Sequence, residues 1–153
     1  MEYNTDRLSP RLEEELTALF EAYYAATPAH TDLPPYDFDW PLYYALQDAG
    51  VLLITTARDN EDGYKLYGAG LYMIVQHPHH RTMTVAECDT LAVSHIRRGE
   101  GIGSTLLDFS INALRDRGVQ RVVHRYRTCY NTTPLFEKHD FKLQEHVYAR
   151  DIN

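Results

Sequence analysis

HIRRGEGIGSTLL, residues 95–107, decides how the rest of the chain is read. Gly99, Gly101 and Gly103 alternate directly after Arg97 and Arg98. The residues before them, Val85 to Val93, read as a strand, and those from about Ser104 to Arg117 read as a helix. A strand, a glycine loop and a helix in this order make an anion cradle. Glycine lets backbone N–H groups converge, and the helix N-terminus adds partial positive charge. The expected ligand is therefore phosphorylated.

Outward from the cradle, the pattern alternates between the two periods. Ser9-Pro10 predicts an N-cap with Pro at the first helical position, opening a helix through about Ala25 with Leu12, Leu16, Leu19, Phe20 and Tyr23 on one stripe. A proline-rich loop, Thr27 to Tyr36, precedes a second helix from near Trp40 to before Gly50. Val51 to Thr56 and Tyr64 to Gln76 read as strands around a turn at Asp59 to Gly63. Gly118 is placed to end the cradle helix, Val119 to Arg127 predicts a strand, Thr133-Pro134 a short helix, and Phe141 to Ile152 a closing strand. Two N-terminal helices, an antiparallel meander, then helix, strand, helix, strand imply a mixed α/β sheet.

At 153 residues, with no linker, repeat or low-complexity tract, one domain over residues 1–153 is expected. The hydrophobic fraction of 44% is that of a soluble globular chain, and the net charge of −7 argues against nonspecific binding to nucleic acid or to an anionic membrane. The N-terminus has no apolar core of a signal peptide, and no apolar run nears the roughly 18 residues of a membrane span, so the expected location is cytoplasmic. Cys88 and Cys129 have no metal-type spacing, and Cys88 reads as a small buried strand residue. His77, His79 and His80 read as a polar hairpin loop, so no metal is expected.

Three phosphate ligands compete for the cradle. A nucleoside-triphosphate loop needs GxxxxGK(S/T), and no Lys follows these glycines. A dinucleotide fold needs GxGxxG with an acidic residue about 20 positions on. Here Ser104 stands in the third glycine's place, and the later strand offers His124, Arg125, Tyr126 and Arg127. The third pattern fits: Arg98-Gly99-Glu100-Gly101-Ile102-Gly103 matches R/Q-x-x-G-x-G/A, preceded by Leu91-Ala92-Val93 and followed by Leu106-Leu107. Together these resemble the coenzyme A pyrophosphate loop of the GNAT acyltransferases. Leu135 to Phe141, LFEKHDF, resembles the family's LYEKLGF element. The resemblance runs from about Val51 to Ile152. It implies a GNAT fold, acetyl-CoA as donor, backbone N–H groups from Arg98 to Ser104 on the pyrophosphate, and free backbone near Leu91 and Val93 for the pantetheine arm. Arg97 and Arg98 supply basic charge suited to phosphates in an acidic chain.

Transfer to an amine requires the amine neutral at attack, which calls for a carboxylate base. Glu87 and Asp89, two apart in a strand, face one side. Glu87 lies 11 residues before Arg98, close to the offset of the glutamate in histone-type members. Asp89 lies in A-x-x-D-x-L-x-V (Ala86, Asp89, Leu91, Val93), which resembles a phage-encoded variant of the family. Either carboxylate could instead be paired with His124 or an arginine of the next strand. The resemblance also implies a tyrosine acid in the LYEKLGF element, but Phe136 stands there and Asp140 replaces the glycine. Tyr126, Cys129 and Tyr130 are the remaining donors, with Tyr130 preferred. Members form one acceptor wall from the opening helices and their loop, which points to Tyr36, Phe38 and Trp40 as substrate contacts.

The expected activity is direct transfer of acetyl from acetyl-CoA to a primary amine, on a small molecule or a protein, by a transferase needing no metal. Homodimers through sheet edges are common in such families and stay open here. Two alternatives stand beside it: a GNAT-shaped module that binds CoA or a partner protein without turnover, and a nucleotide-binding domain using the same loop.

Overall fold

The computed structural model describes residues 1–26, 36–126 and 131–152. Its elements are β1 (Glu2–Asp6), α1 (Pro10–Ala25), α2 (Trp40–Asp48), β2 (Leu52–Asp59), β3 (Lys65–Gln76), β4 (Thr84–Val93), a 3-10 turn at His95–Arg97, α3 (Ile102–Asp116), β5 (Arg121–His124) and α4 (Thr133–Lys138). The sheet runs β1-β2-β3-β4-β5. Its first four strands pair antiparallel, and β5 lies parallel to β4 through the α3 crossover.

Alternation along the strands sends side chains to two cores. One joins Leu12, Leu16, Leu19 and Phe20 of α1 to Ile54, Leu71 and Ala92. The other joins Leu114 of α3 to Leu53, Tyr72, Ala86 and Cys88, with Ile102 and Leu106 packing on Ala57 and Tyr67. Ser9 caps α1 as expected, its side chain accepting from the Leu12 N–H, and Asp39 caps α2 through the Leu42 N–H. The side chain of Gln47 ties α2 to the start of α1: it accepts from the Leu8 N–H at 2.5 Å and donates to the Leu8 carbonyl at 3.3 Å.

Three expectations change. β1, absent from the sequence reading, pairs along β2 from Glu2↔Arg58 to Asp6↔Ile54. Its residues, EYNTD, show no apolar alternation because an edge strand can stay polar. β5 covers four residues rather than the span from Val119 to Arg127. The closing strand predicted from Phe141 to Ile152 does not form. Residues 141–152 carry no regular secondary structure, and Leu143, Val147, Tyr148 and Ile152 are exposed. Strand character needs a neighbouring ladder, and composition alone supplies none.

Candidate active site

The cradle forms where β4 leaves the sheet. Gly101 is the N-cap of α3 at φ 79°, a left-handed conformation that glycine adopts without Cβ strain, and no side chain caps that terminus among the described residues. The N–H groups of Ile102, Gly103 and Ser104 therefore lie in the first turn, where helical donors have no partner within the helix. Beside them, the β4–β5 ladder stops at Cys88↔His124. From Asp89 to Val93, β4 keeps β3 as its partner on one edge, and its other edge meets no strand among the described residues. Leu91, Ala92 and Val93 lie on this open stretch, which leads straight to the glycine loop. An extended ligand arm with amide groups fits an open strand edge, and a phosphate fits the uncapped helix end.

Arg97 and Arg98 part company. Arg97 donates to Glu100 at 2.7 Å and to Asp59 at the end of β2 at 2.9 Å, with its guanidinium 4.8 Å from the Tyr67 ring. These two carboxylates hold its pKa above the usual arginine value. Its charge is met inside the protein, and its visible task is to clasp the loop against β2. Arg98 is exposed, its guanidinium 5.6 Å from the Tyr23 ring. Ser104 faces α4: its hydroxyl lies 2.8 Å from His139 Nε2 and accepts from Lys138 Nζ at 3.0 Å.

The two carboxylates also differ. Glu87 accepts from Arg125, just past β5, at 2.7 Å, the pairing that sequence reasoning had left open. Asp89 occupies a β-bulge, since Leu71 pairs with Thr90 and Tyr72 with Cys88, leaving Asp89 as the extra residue of β4. It is exposed, and its Oδ2 accepts from Tyr43 Oη at 2.7 Å and from Thr90 Oγ1 at 3.1 Å. Oδ1 has no hydrogen-bond partner among the described residues. Tyr43 belongs to the wall: Tyr24, Tyr36, Phe38, Trp40 and Tyr43 follow one another with ring centroids 4.1 to 5.6 Å apart. Trp40 Nε1 donates to Thr17 of α1 at 3.2 Å. Burial first, then the Asp89 carboxylate, raises the pKa of Tyr43 and keeps its hydroxyl protonated as a donor. Tyr36, Phe38 and Trp40 thus stand next to Asp89 through Tyr43.

The sequence profile of the Acetyltransferase (GNAT) family matches residues 11–141. The chain belongs to the GNAT acetyltransferase family. Membership puts its activity in the class of acetyl transfer. No functionally curated protein matches it by sequence. Among solved structures, a mutant of the BH1408 protein from Bacillus halodurans superposes with a TM-score of 0.79 at 16% identity, covering 100% of both chains. Glucosamine-6-phosphate N-acetyltransferase from Arabidopsis thaliana gives 0.73 at 13%, again over 100% of both. Ribosomal-protein-alanine N-acetyltransferase from Brucella melitensis gives 0.71 at 18%, over 99% of this chain and 100% of that one. At these identities the likeness is one of fold.

Within this GNAT chain the acid position is the clearest departure. Phe136 stacks on Tyr126 with centroids 5.3 Å apart and packs at 4.9 Å from the His124 ring. Tyr126 is partly exposed, its hydroxyl 3.3 Å from Thr133 Oγ1. Tyr130 and Cys129, the other sequence candidates, lie outside the described residues. So do Arg127 and residues 27–35 of the proline-rich loop. His124 is half-buried among Phe136, Phe141 and Tyr72, and this burial lowers its pKa to about 4. Cys88 is buried as expected, and burial raises its thiol pKa. No group of three metal-ligating side chains converges among the described residues, and no helix there is long and apolar enough to cross a membrane.

Sequence reasoning missed Tyr43, Thr90, Asp59, Lys138 and His139. Only Tyr43 carried a signal: a tyrosine at helical spacing from Trp40, on the helix that opens the wall.

Proposed function

We propose that this enzyme transfers acetyl from acetyl-CoA directly to a primary amine, with Asp89 as the base. The observation that carries the assignment is the contrast between the two carboxylates: Glu87 is held by Arg125, whereas Asp89 keeps one oxygen open beside the aromatic wall. Acetyl-CoA, when bound, supplies a thioester carbonyl activated toward nucleophiles. The N–H groups of the loop from Arg98 to Ser104 hold its pyrophosphate, and the open edge of β4 at Leu91, Ala92 and Val93 hydrogen-bonds the pantetheine amides. Tyr36, Phe38 and Trp40 line the approach of the acceptor, and an acidic chain favours a cationic one. Asp89 Oδ1 takes a proton from the incoming ammonium and releases it to solvent, leaving a nitrogen lone pair for attack. Tyr130 is the proposed proton donor to the leaving sulfur, with the Tyr126 hydroxyl as the placed alternative. Much of the rate comes from holding amine and carbonyl side by side. The A-x-x-D-x-L-x-V pattern that contains Asp89 fits the phage-encoded variant of the family.

Calorimetric titration with acetyl-CoA, followed by thiol release across a panel of amines and peptides, tests this reading. Asp89→Asn is expected to lower the acceptor-dependent rate by about 100-fold or more with CoA affinity unchanged, and Glu87→Gln to stay within a few-fold of wild type. The reverse pattern moves the base to Glu87, and absence of acetyl-CoA binding removes the donor assignment. Phe136 in the usual tyrosine position favours one second reading, a non-catalytic CoA-binding module. Tight binding, with no thiol release from any acceptor, is its signature.

A further inference from the structure

In a chain of net charge −7, holding a polyanion depends on which cations stand at the cradle. The sequence offers Arg97 and Arg98, yet Arg97 is engaged by Asp59 and Glu100, and Arg98 lies against Tyr23. A different cation reaches the first turn of α3. Lys138, the last residue of α4, donates from Nζ to Ser104 Oγ at 3.0 Å. Ser104 is the third residue of α3, within the turn whose N–H groups have no helical acceptor.

The surrounding hydrogen bonds fix the roles. His139 Nδ1 and Asp108 Oδ1 are 2.6 Å apart, and a carboxylate only accepts, so Nδ1 carries the proton. Nε2 of the same ring lies 2.8 Å from the Ser104 hydroxyl. The Ser104 oxygen accepts from Lys138. Two of the three ammonium N–H groups have no partner among the described residues and are open to a ligand. Asp108 and Ser104 are one turn apart on α3, and the His139 side chain, 5% exposed, bridges them. This bridge, buried only on its His139 side, docks the end of α4 on the start of α3 and sets the lysine at the cradle.

We propose that Lys138, rather than Arg97, is the phosphate-binding cation of the CoA cradle, with His139 and Asp108 as positioning residues that seat it through Ser104. The assignment rests on the acetyl-CoA reading above. It makes the end of α4, which lies against the first turn of α3, part of the phosphate site.

Calorimetric titration of the full chain with CoA at low and high salt tests it, using wild type, Lys138→Gln, Lys138→Arg and Arg115→Gln. Arg115, exposed near the far end of α3, controls for loss of any one positive charge. Lys138 is exposed, so its variants are expected to melt with wild type. Lys138→Gln is expected to weaken CoA binding about tenfold or more and to flatten its salt dependence. Lys138→Arg should keep most of the affinity, and Arg115→Gln should match wild type. His139→Ala should weaken CoA as Lys138→Gln does, and should add little in the double variant. Equal affinity for wild type and Lys138→Gln overturns the proposal while leaving the donor assignment intact. Equal losses in Lys138→Gln and Lys138→Arg also overturn it, because the charge is then not what matters. Failure of wild type to bind CoA removes both.

Discussion

The two halves of β4 share one strand and do different work. From Val85 to Cys88 it is laddered on both edges, and its inward side chains pack with Tyr72 and Leu114. From Asp89 to Val93 it keeps a single neighbouring strand among the described residues, carries a bulge, and opens onto the cradle and the aromatic wall. The closed half contributes stability, and the open half contributes backbone groups with no strand partner among the described residues, which are what a ligand needs. The change falls where β5 ends, at His124, and where the bulge turns Asp89 out toward Tyr43.

The largest effect is expected where the closed half stops. His124 has a pKa of about 4 against an ordinary 6.5, because burial disfavours its charged form. The unfolded chain takes up the proton first, so the stability this neutral ring contributes is full above about pH 6.5 and is lost as pH falls toward 4. The loss from this residue is about 3 kcal/mol. Urea midpoints at pH 7 and pH 4.5 measure it, and His124→Phe, set among Phe136, Phe141 and Tyr72, should remove most of the difference between the two. An equal pH dependence in the variant would show that the closed half does not depend on a neutral His124.

Two substitutions probe the open half. Gly101→Ala meets no atom within 4 Å, so its cost is that of a left-handed backbone alone, about 1–2 kcal/mol. If the chain instead rotates that peptide to relieve strain, the first N–H groups of α3 turn away and CoA affinity falls, on the order of tenfold by calorimetry. Tyr43→Phe leaves the rings of the wall in place and removes one donor from Asp89. Its expected effect is a rate about five- to tenfold lower at unchanged CoA affinity. Together they separate, within the open half, the proposed CoA cradle from the proposed base. A Tyr43→Phe change that altered CoA binding would mean the two are one unit.

Legibility followed the same division. The ends of α1, α2 and α3, the glycine loop and the antiparallel meander could be read because caps, turns and periodicity are local. What was missed depends on partners distant in sequence. β1 is polar and is a strand only because β2 offers an edge, and residues 141–152 alternate well enough for a strand that nothing pairs. Arg97 looked like a phosphate ligand because Asp59 lies 38 residues away, and the sequence preferred Asp89 to Glu87 only for its nearness to the splayed end of the strand, because nothing in it shows Arg125 or Tyr43 separating the two. The local elements that frame the candidate site were readable; its side-chain pairings required the fold.

The smallest effect concerns how α4 is closed. α2, α3 and α4 end in the same hydrogen-bonded turn: the residue after the cap donates to the carbonyl of the penultimate helical residue, and the next N–H reaches one residue further back. In α3 these bonds run from Gly118 to Arg115 and from Val119 to Leu114; in α4, from Asp140 to Glu137 and from Phe141 to Phe136. The left-handed position is Gly50 in α2 and Gly118 in α3, at φ 74° and 77°, but Asp140 in α4, at φ 61°. Aspartate tolerates this region better than most residues yet still less well than glycine, so Asp140→Gly should stabilise the protein by up to about 1 kcal/mol. Gly118→Asp, with no atom within 4 Å to meet, should lose a similar amount. Melting temperatures of the two variants give the comparison, and CoA affinity gives its functional side. Asp140 adjoins His139 and Lys138, so a more relaxed turn that leaves CoA binding unchanged shows that the Asp108–His139 bridge, and not the strain at Asp140, sets the lysine. A changed affinity at unchanged fold would instead assign that setting to the turn.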